Sequence, residues 1–361
     1  MENYVHKGYL PGVAPFETML VQKVGSSSQC VLQRAKLETL PEAQQRCVIN
    51  AATVLQQLAN GCPHQVLCAE SFMDHGYACS VLEYCEVGPV AILLDAVREQ
   101  KEPLSESQVL AWVNDIALAI HHLHGLGLLH LNVGINSVHI CADGQAKLGD
   151  FAIACQLPEG AAETDPSAIS FDSLPPEILR LSPVGRPADI WGLGCLLFQL
   201  CALRPAFEVK ESEDGVDFEA CLAAIGGGSP TLPAKTFNHA TQEGGWSAGL
   251  QELLSAMLTA NPAGRPTIEQ VLERLHELRT AAGPPVASGL IMEAKARPAA
   301  VSETEKYLEG GIDADARSRR RSSGRVSASG GTGLDRLSQP VRKREKAKTR
   351  LEEQGIPKPM R

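Results

Sequence analysis

The sequence predicts an α+β fold, with a small strand-rich N-terminal lobe, a larger helical C-terminal lobe and a basic tail. Short β-rich runs are concentrated in residues 1–84, whereas apolar residues at helical spacing dominate residues 88–282. From Gly283 onward the composition changes to Pro, Ala, Gly, Ser and Arg, and Phe and Trp are absent. Because such a segment cannot bury enough apolar surface to fold alone, residues 283–361 are expected to be disordered or extended.

The N-terminal lobe is expected to contain strands at Cys30–Gln33, Gln65–Phe72 and Ala78–Glu83. A helix should follow Pro41, because Val48, Ala51, Leu55 and further apolar residues recur at intervals of three or four. Together these elements predict a small sheet with one helix packed against it.

The C-terminal lobe is expected to be built from helices. A capping box, Ser105 to Gln108, opens a long amphipathic helix, and a second capping box begins a helix at Thr267–Arg279. Residues 188–198 are apolar on nearly all sides, which indicates a buried helix. A further helix is expected at Ser247–Ala260, and Ser212–Gly245 is interpreted as an irregular insert because it is rich in Gly, Pro and Ser.

Composition excludes several classes of protein. The eleven cysteines include no C-x-x-C pair, which argues against a zinc ribbon or a dithiol redox motif. His121, His122 and His124 cluster near the end of the long helix, but no carboxylate or cysteine stands at ligand spacing, so solvated or capping histidines are expected. The longest apolar stretch, Ile190–Leu203, is shorter than the roughly 20 residues of a membrane span. A soluble, intracellular chain is expected.

The centre of the sequence is the stretch Leu128–Ala154. Two short β-rich runs flank Asp143-Gly144, a strong signal for a tight hairpin. A loop that carries His130 and Asn132 precedes this hairpin, and Asp150 follows it directly.

This layout resembles the catalytic loop and metal-binding turn of protein kinases, whose signatures are H-R-D-L-x-x-x-N and D-F-G. Four segments in kinase order are similar to the NIMA-related serine/threonine kinases. They are Glu70-Ser71-Phe72, Leu82-Glu83-Tyr84-Cys85-Glu86, Leu148–Ala154 and Asp189–Cys195. The resemblance implies a bilobal protein-kinase-like fold over about residues 4–282, in which Asn132 and Asp150, on the two sides of the hairpin, share a cleft.

The kinase positions that serve the fold are kept. The resemblance implies that Asp189 holds the backbone of the catalytic loop, and that Arg265 pairs with Glu177 of a segment similar to A-P-E. His130 and Phe151 match the first residue of the loop signature and the aromatic residue of D-F-G. These matches favour an intact scaffold.

The kinase positions that serve phosphoryl transfer are replaced by neutral residues. Gln33 replaces the phosphate-binding lysine, and Ala51 replaces its glutamate partner. Asn132 replaces the catalytic base, Gly134 replaces the lysine that follows the base, and Ser137 replaces the second magnesium ligand. The phosphate-covering stretch Leu10–Phe16 keeps one glycine, Gly12, and contains two prolines, which lack a backbone donor. Only the metal-binding acid, Asp150, remains.

These replacements predict a pseudokinase, a binding module or scaffold without transferase activity. No cofactor is expected, although Asp150 and Gly12 leave room for weak binding of ATP and magnesium. The alternative is an unorthodox serine/threonine kinase in which Arg34, Lys36 or Lys23 replaces the missing lysine. These two hypotheses differ in whether a cation reaches the cleft.

The tail differs in charge from the rest of the chain. From Gly283 onward 17 Lys and Arg stand against 10 Asp and Glu, a balance of +7, whereas the preceding residues carry 16 against 32, a balance of −16. Such a tail usually meets an acidic partner. Ser322 and Ser323 follow three arginines and are candidate phosphorylation sites.

The partner expected for the tail is acidic, and the acidic surface of microtubules, nucleic acid and an anionic membrane would all suit it. NIMA-related kinases as a family are tied to centrosomes, cilia and mitosis, so tubulin, microtubules or ciliary proteins are the implied partners, in the cytoplasm or in a cytoskeletal, ciliary or centrosomal location. Nucleic acid ranks lower because no aromatic residues are interleaved with the basic ones to stack on bases.

Overall fold

The computed structural model describes residues 3–10, 15–58, 61–100, 104–164, 175–180, 182–207, 211–212, 215–216, 218–233 and 245–285. Gly12, and the tail with its candidate phosphorylation sites Ser322 and Ser323, lie outside the described residues. No helix in the described ranges combines the length and the apolarity needed to cross a bilayer.

The N-terminal lobe is a five-stranded antiparallel sheet with the order β1-β2-β3-β5-β4. Its elements are β1 Tyr4–Tyr9, β2 Glu17–Lys23, β3 Gln29–Lys36, α1 Glu42–Gln57, β4 Cys68–Asp74 and β5 Tyr77–Glu83. His75 and Gly76 both have positive φ and form the two-residue turn between β4 and β5, as the twist of an antiparallel pair favours. The sheet and α1 confirm the expected lobe.

The strand expected at Gln65–Phe72 is displaced, because β4 begins only at Cys68. Gln65 is buried, and its side-chain amide donates to the carbonyl of Ala119 in the C-terminal lobe at 3.2 Å. This residue therefore belongs to the joint between the lobes and not to the sheet.

The C-terminal lobe is built mainly from helices around a continuous apolar core. They are α2 Val90–Gln100, α3 Glu106–Gly125, α4 Pro176–Leu179, α5 Pro187–Ala202, α6 Phe218–Gly226, α7 Ala248–Met257 and α8 Ile268–Ala282. Ser105 caps α3 by accepting from the amide of Gln108, and Thr267 and Gln270 form a complete capping box on α8. The prediction that Ser212–Gly245 forms an irregular insert is partly wrong, because α6 lies within this range.

Short strands connect these helices and carry the central hairpin. They are β6 Gly88–Pro89, β7 Leu128–Leu129, β8 Val138–Ile140, β9 Ala146–Leu148, β10 Cys155–Gln156, β11 Glu163–Thr164, β12 Val184–Gly185, β13 Glu211–Ser212 and β14 Gly215–Val216. β8 and β9 are antiparallel, with Gly144 at φ +88° in their turn, and β6 pairs with β8. The hairpin expected around Asp143-Gly144 is confirmed.

A buried ion pair joins α4 to the segment before α8. Both Nη atoms of Arg265 donate to the two carboxylate oxygens of Glu177, at 2.7 and 2.8 Å. Arg265 also donates to the carbonyls of Pro187 and Thr259, and it lies 4.9 Å from the ring centroid of Trp191. Because its N–H groups have acceptors, the charge is tolerated in the core, as the resemblance implied.

Asn50 ties α1 to the backbone that follows the hairpin. Its Nδ2 donates to the carbonyl of Ala154 at 2.7 Å and lies 3.3 and 3.4 Å from the carbonyls of Ala152 and Phe151. These contacts connect the N-terminal lobe to the segment after Asp150 without any charge. Asn50 therefore holds α1 against this segment, although Ala51 offers no carboxylate for an ion pair.

Replacing Glu177 with Ala should lower the free energy of unfolding by about 3–5 kcal/mol, because Arg265 would keep a buried charge without its counter-ion. Urea denaturation measures the loss. Glu252→Ala is the matched control, since Glu252 pairs with Arg274 at the surface and its removal should change stability little. Equal losses in the two variants would contradict the analysis.

Asn50→Ala should destabilise the native state by about 1–3 kcal/mol, because the carbonyl of Ala154 loses its donor in a partly buried position. Hydrogen exchange should rise in residues 151–154 ahead of global unfolding, and peptide-level mass spectrometry would detect it. Thr53→Ala, an exposed change on the same helix, should leave this segment protected. Equal protection in wild type and Asn50→Ala would refute the proposed tie.

Candidate functional site

A cavity of about 150 Å³ lies between the sheet of the N-terminal lobe and the central hairpin. Thr18, Val31 and Gln33 line it from the sheet, and His139 lines it from β8. Asp150 and Phe151, which follow the hairpin, also line it. The cleft expected on both sides of the hairpin therefore exists.

Gln33 and Ala51, which take the places of the phosphate-binding lysine and its glutamate partner, both line this cavity. Thr18 is the cross-strand partner of Gln33 in the β2–β3 ladder. The amide of Gln33 forms no hydrogen bond with any described residue. The wall that would meet phosphates thus carries a neutral amide and a methyl group.

The three cations considered as substitutes for the phosphate-binding lysine are not among the residues that line the cavity. Arg34 pairs with Glu17 at 2.8 Å and lies over the ring of Tyr77, and Lys36 pairs with Glu38 at 2.6 Å. Because side chains alternate along a strand, both leave β3 on the face opposite to Gln33. Lys23 is exposed at the end of β2. No Lys or Arg is present among the described residues that line the cavity.

Asp189 holds the loop that carries the predicted site. Its carboxylate accepts the amide N–H groups of His130 at 3.0 Å and Leu131 at 2.7 Å. Leu131 adopts a φ of +62°, an unfavourable value for a leucine, which these bonds help to fix. Burial opposes ionisation of Asp189, but donors from His124 and His130 outweigh it and lower its pKa.

His130 is fully buried beneath the cleft. Its Nε2 donates to the carbonyl of Gly149 at 2.9 Å, and its Nδ1 accepts from the amide of Asn132 at 3.2 Å. The ring packs edge-on against Phe151, with the centroids 5.2 Å apart. Burial lowers the pKa of His130, so the imidazole stays neutral and acts as a spacer that supports the loop.

Asn132 contacts Asp150, which lines the cavity. The Nδ2 of Asn132 donates to Oδ2 of Asp150 at 2.7 Å. Burial raises the pKa of Asp150, whereas hydrogen bonds from Asn132 and the amide of Ala152 oppose that rise. Asn132, which the resemblance places at the position of the base, therefore gives Asp150 a neutral hydrogen-bond donor.

Ser137 and Gly134 form two hydrogen bonds with each other. The hydroxyl of Ser137 accepts from the amide of Gly134 and donates to its carbonyl, each at 3.0 Å, and Ser137 is buried. The space around the missing Cβ of Gly134 is open, so packing does not exclude a longer residue there. Ser137 thus stabilises the loop instead of presenting its oxygen to a metal ion.

This donor set does not fit a magnesium–triphosphate group. Magnesium in such sites is held by carboxylates together with phosphate oxygens, and a lysine normally meets the phosphates. Of the two carboxylates that line the cavity, Asp150 already accepts from Asn132, and Glu83 pairs with Lys147. In the described ranges, no group of three or more His, Cys, Asp or Glu side chains is arranged to hold a metal ion.

The segment that joins the lobes is fastened to the hairpin at several points. Lys147 on β9 pairs with Glu83 at 2.5 Å, and the Sγ atoms of Cys85 and Cys141 lie 3.3 Å apart. The amide of Ala142 donates to the carboxylate of Glu86 at 2.9 Å. Burial opposes the charge of Lys147, but its bond to Glu83 outweighs that effect and raises its pKa.

The sequence analysis did not predict the contact of His124 with Asp189 or that of Lys147 with Glu83. His124, expected to be solvated or capping, is 4% exposed, and its Nε2 lies 2.9 Å from Oδ2 of Asp189. The signal was present, because His124 follows Ile120 by four residues on the buried face of α3. Lys147, between two buried apolar residues of β9, offered no comparable signal.

Comparison with known proteins agrees with this geometry. The family model for the protein kinase domain matches residues 18–276. The chain is 29% identical over 276 residues to serine/threonine-protein kinase Nek1 of Mus musculus, which covers 76% of this chain and 21% of that protein. It is 30% identical over 258 residues to serine/threonine-protein kinase Nek5 of Homo sapiens, covering 71% and 34% respectively.

A plant relative gives the same result. Serine/threonine-protein kinase Nek6 of Oryza sativa subsp. japonica is 29% identical over 255 residues, covering 70% of this chain and 44% of that protein. The chain therefore spans less than half the length of each of these three relatives. The match to the domain model, the two-lobed fold and the pairings of Asp189 and Arg265 lead to one conclusion: this chain belongs to the protein kinase family and is similar to its NIMA-related members.

Proposed function

We propose that this chain is a pseudokinase, a kinase-fold binding module that does not transfer phosphate. The observation that carries the proposal is the hydrogen bond from Asn132 to Asp150. A neutral amide at the position of the base has no lone pair basic enough to accept a proton from a substrate hydroxyl. A positioned general base alone contributes roughly 10²–10⁴ to a rate.

The electrostatics of the cleft support the same proposal. Phosphoryl transfer depends on positioning and on cations that neutralise the developing charge. The described residues lining the cavity include Glu83 and Asp150, whereas Gln33 stands where a lysine would meet the phosphates. Because Ala51 replaces the acidic partner as well, the loss of the lysine leaves no buried carboxylate without a counter-ion.

The proposed role is that of a scaffold, with the basic tail in contact with an acidic protein surface. The balance of +7 after Gly283 against −16 before it supports attraction of the tail to a partner. We propose tubulin, microtubules or a ciliary protein as this partner, in the cytoplasm or at the cytoskeleton, cilium or centrosome. Phosphorylation of Ser322 or Ser323 would add about −1.5 to −2 charges per site and weaken the contact.

Incubation of the full chain with radiolabelled ATP and Mg²⁺ or Mn²⁺ should label neither the chain nor generic protein substrates above background. The reason is that the described residues that line the cleft include no Lys or Arg to bind phosphate, and Asn132 stands where the base would be. A NIMA-related kinase assayed in parallel controls for the conditions. Labelling by the wild-type chain that disappears in Asp150→Ala would instead establish the unorthodox kinase.

Deletion of residues 283–361 should abolish co-sedimentation with microtubules and leave the kinase-like domain folded, since the cut follows the last residue of α8. Replacement of Arg319, Arg320 and Arg321 with Gln should weaken binding of the full chain and reduce its salt dependence. Circular dichroism would confirm the fold. Binding that survives the deletion would exclude the tail as the contact.

A further inference from the structure

Two cysteine thiols meet where the segment between the lobes crosses the central hairpin. The Sγ atoms of Cys85 and Cys141 lie 3.3 Å apart, although the two residues are 56 positions apart in the sequence. Both cysteines are free, and they keep 5% and 8% of their surface exposed. Because the sequence contains no C-x-x-C pair, it is the fold that brings these two sulfur atoms together.

Backbone contacts beside the two cysteines hold them in place. The amide of Val87 donates to the carbonyl of Ile140 at 3.2 Å, and β6 pairs with β8 directly beyond this bond. The amide of Ala142 donates to the carboxylate of Glu86 at 2.9 Å. The sulfur atoms of a disulfide are about 2.0 Å apart, so an approach of about 1.3 Å separates the thiol pair from a disulfide.

The cavity between the lobes gives a small oxidant access to one of the two thiols, because Cys85 is among the residues that line it. The hydrogen bond with Cys141 and, after it, burial raise the pKa of the Cys85 thiol, whereas the nearby ammonium group of Lys147 acts in the opposite direction. Since the thiolate is the reactive form of cysteine, oxidation of this pair should be slower than that of an exposed thiol.

We propose that Cys85 and Cys141 form a site of reversible oxidation, at which a hydroperoxide converts the thiol pair to a disulfide. The disulfide ties the segment between the lobes covalently to the hairpin, where the Lys147–Glu83 salt bridge and hydrogen bonds already hold it. Neither thiol stands at the position of the base, the phosphate-binding lysine or a metal ligand. The modification is therefore independent of whether the chain transfers phosphate.

The reaction has two steps. The thiolate of Cys85 attacks one oxygen of hydrogen peroxide, which breaks the O–O bond, leaves a sulfenic acid on Cys85 and releases hydroxide, and this takes up the thiol proton to become water. The sulfur of Cys141 then attacks the sulfur of Cys85, which forms the S–S bond and expels the sulfenic oxygen with the second thiol proton as water. In total the two thiols lose two electrons, and one peroxide gains them.

Peptide mapping without reduction tests whether this bond forms in the full chain. After treatment of the native protein with excess hydrogen peroxide, mass spectrometry should find a peptide pair linked through Cys85 and Cys141, and dithiothreitol should separate it. Cys85→Ser and Cys141→Ser should each abolish the linked pair. Cys30→Ser is the matched control, because it removes a more exposed cysteine and should leave the linked pair unchanged.

Thermal unfolding measures the effect of the bond on the fold. A disulfide that closes a loop of this length stabilises the native state, so oxidation should raise Tm by about 4–10 °C. Hydrogen exchange in residues 84–88 should fall at the same time, since the bond restrains this segment. Dithiothreitol should reverse both changes, and neither should occur in Cys85→Ser or Cys141→Ser.

Three results would overturn the proposal. The first is a native chain in which peroxide links Cys85 or Cys141 to other cysteines instead of to each other. The second is oxidation of these two residues that stops at sulfenic or sulfinic acid, or does not occur, without a linked pair. The third is a linked pair that leaves Tm and hydrogen exchange unchanged. The map of the wild-type chain decides the first two, even if a serine variant fails to fold.

Discussion

The buried carboxylate of Asp189 is the constraint on which the cleft depends. It accepts two consecutive backbone amides of the loop at His130 and Leu131, and it also contacts His124. An ionised group in an apolar core persists only when donors surround it, and here two backbone donors and an imidazole do so. The loop that carries Asn132 therefore keeps its shape whether or not any chemistry takes place on it.

This separation of scaffold from chemistry explains how a cleft with few charges remains intact. Gln33 and Ala51 both line the cavity and both are neutral, so neither leaves a buried charge without a counter-ion. Asn50, one residue before Ala51, holds α1 to the backbone after the hairpin through neutral hydrogen bonds. Asn132 fills its position with a side chain of nearly the same shape as aspartate. The groups that hold the loop in place are different atoms from those that would act on phosphate.

The parts of the fold that rest on local physics could be predicted from sequence. Asp143-Gly144 marks its hairpin because few residues tolerate positive φ, and the capping box at Thr267 marks the start of α8. Contacts between distant segments could not be predicted, because local spacing does not encode them. His124 meets Asp189 across 65 positions, and Lys147 meets Glu83 across 64. The helix Phe218–Gly226 was hidden by the Gly- and Pro-rich residues that follow it.

The joint between the lobes has a consequence for how the molecule meets other proteins. Salt-bridge, thiol and backbone contacts at Glu83, Cys85 and Glu86 fasten this segment to the hairpin beneath it. An enzyme that must admit a substrate and release a product needs a hinge that opens and closes. Contacts such as those at Glu83, Cys85 and Glu86 restrain movement at this segment. A partner that binds across both lobes would therefore have less conformational entropy to remove there.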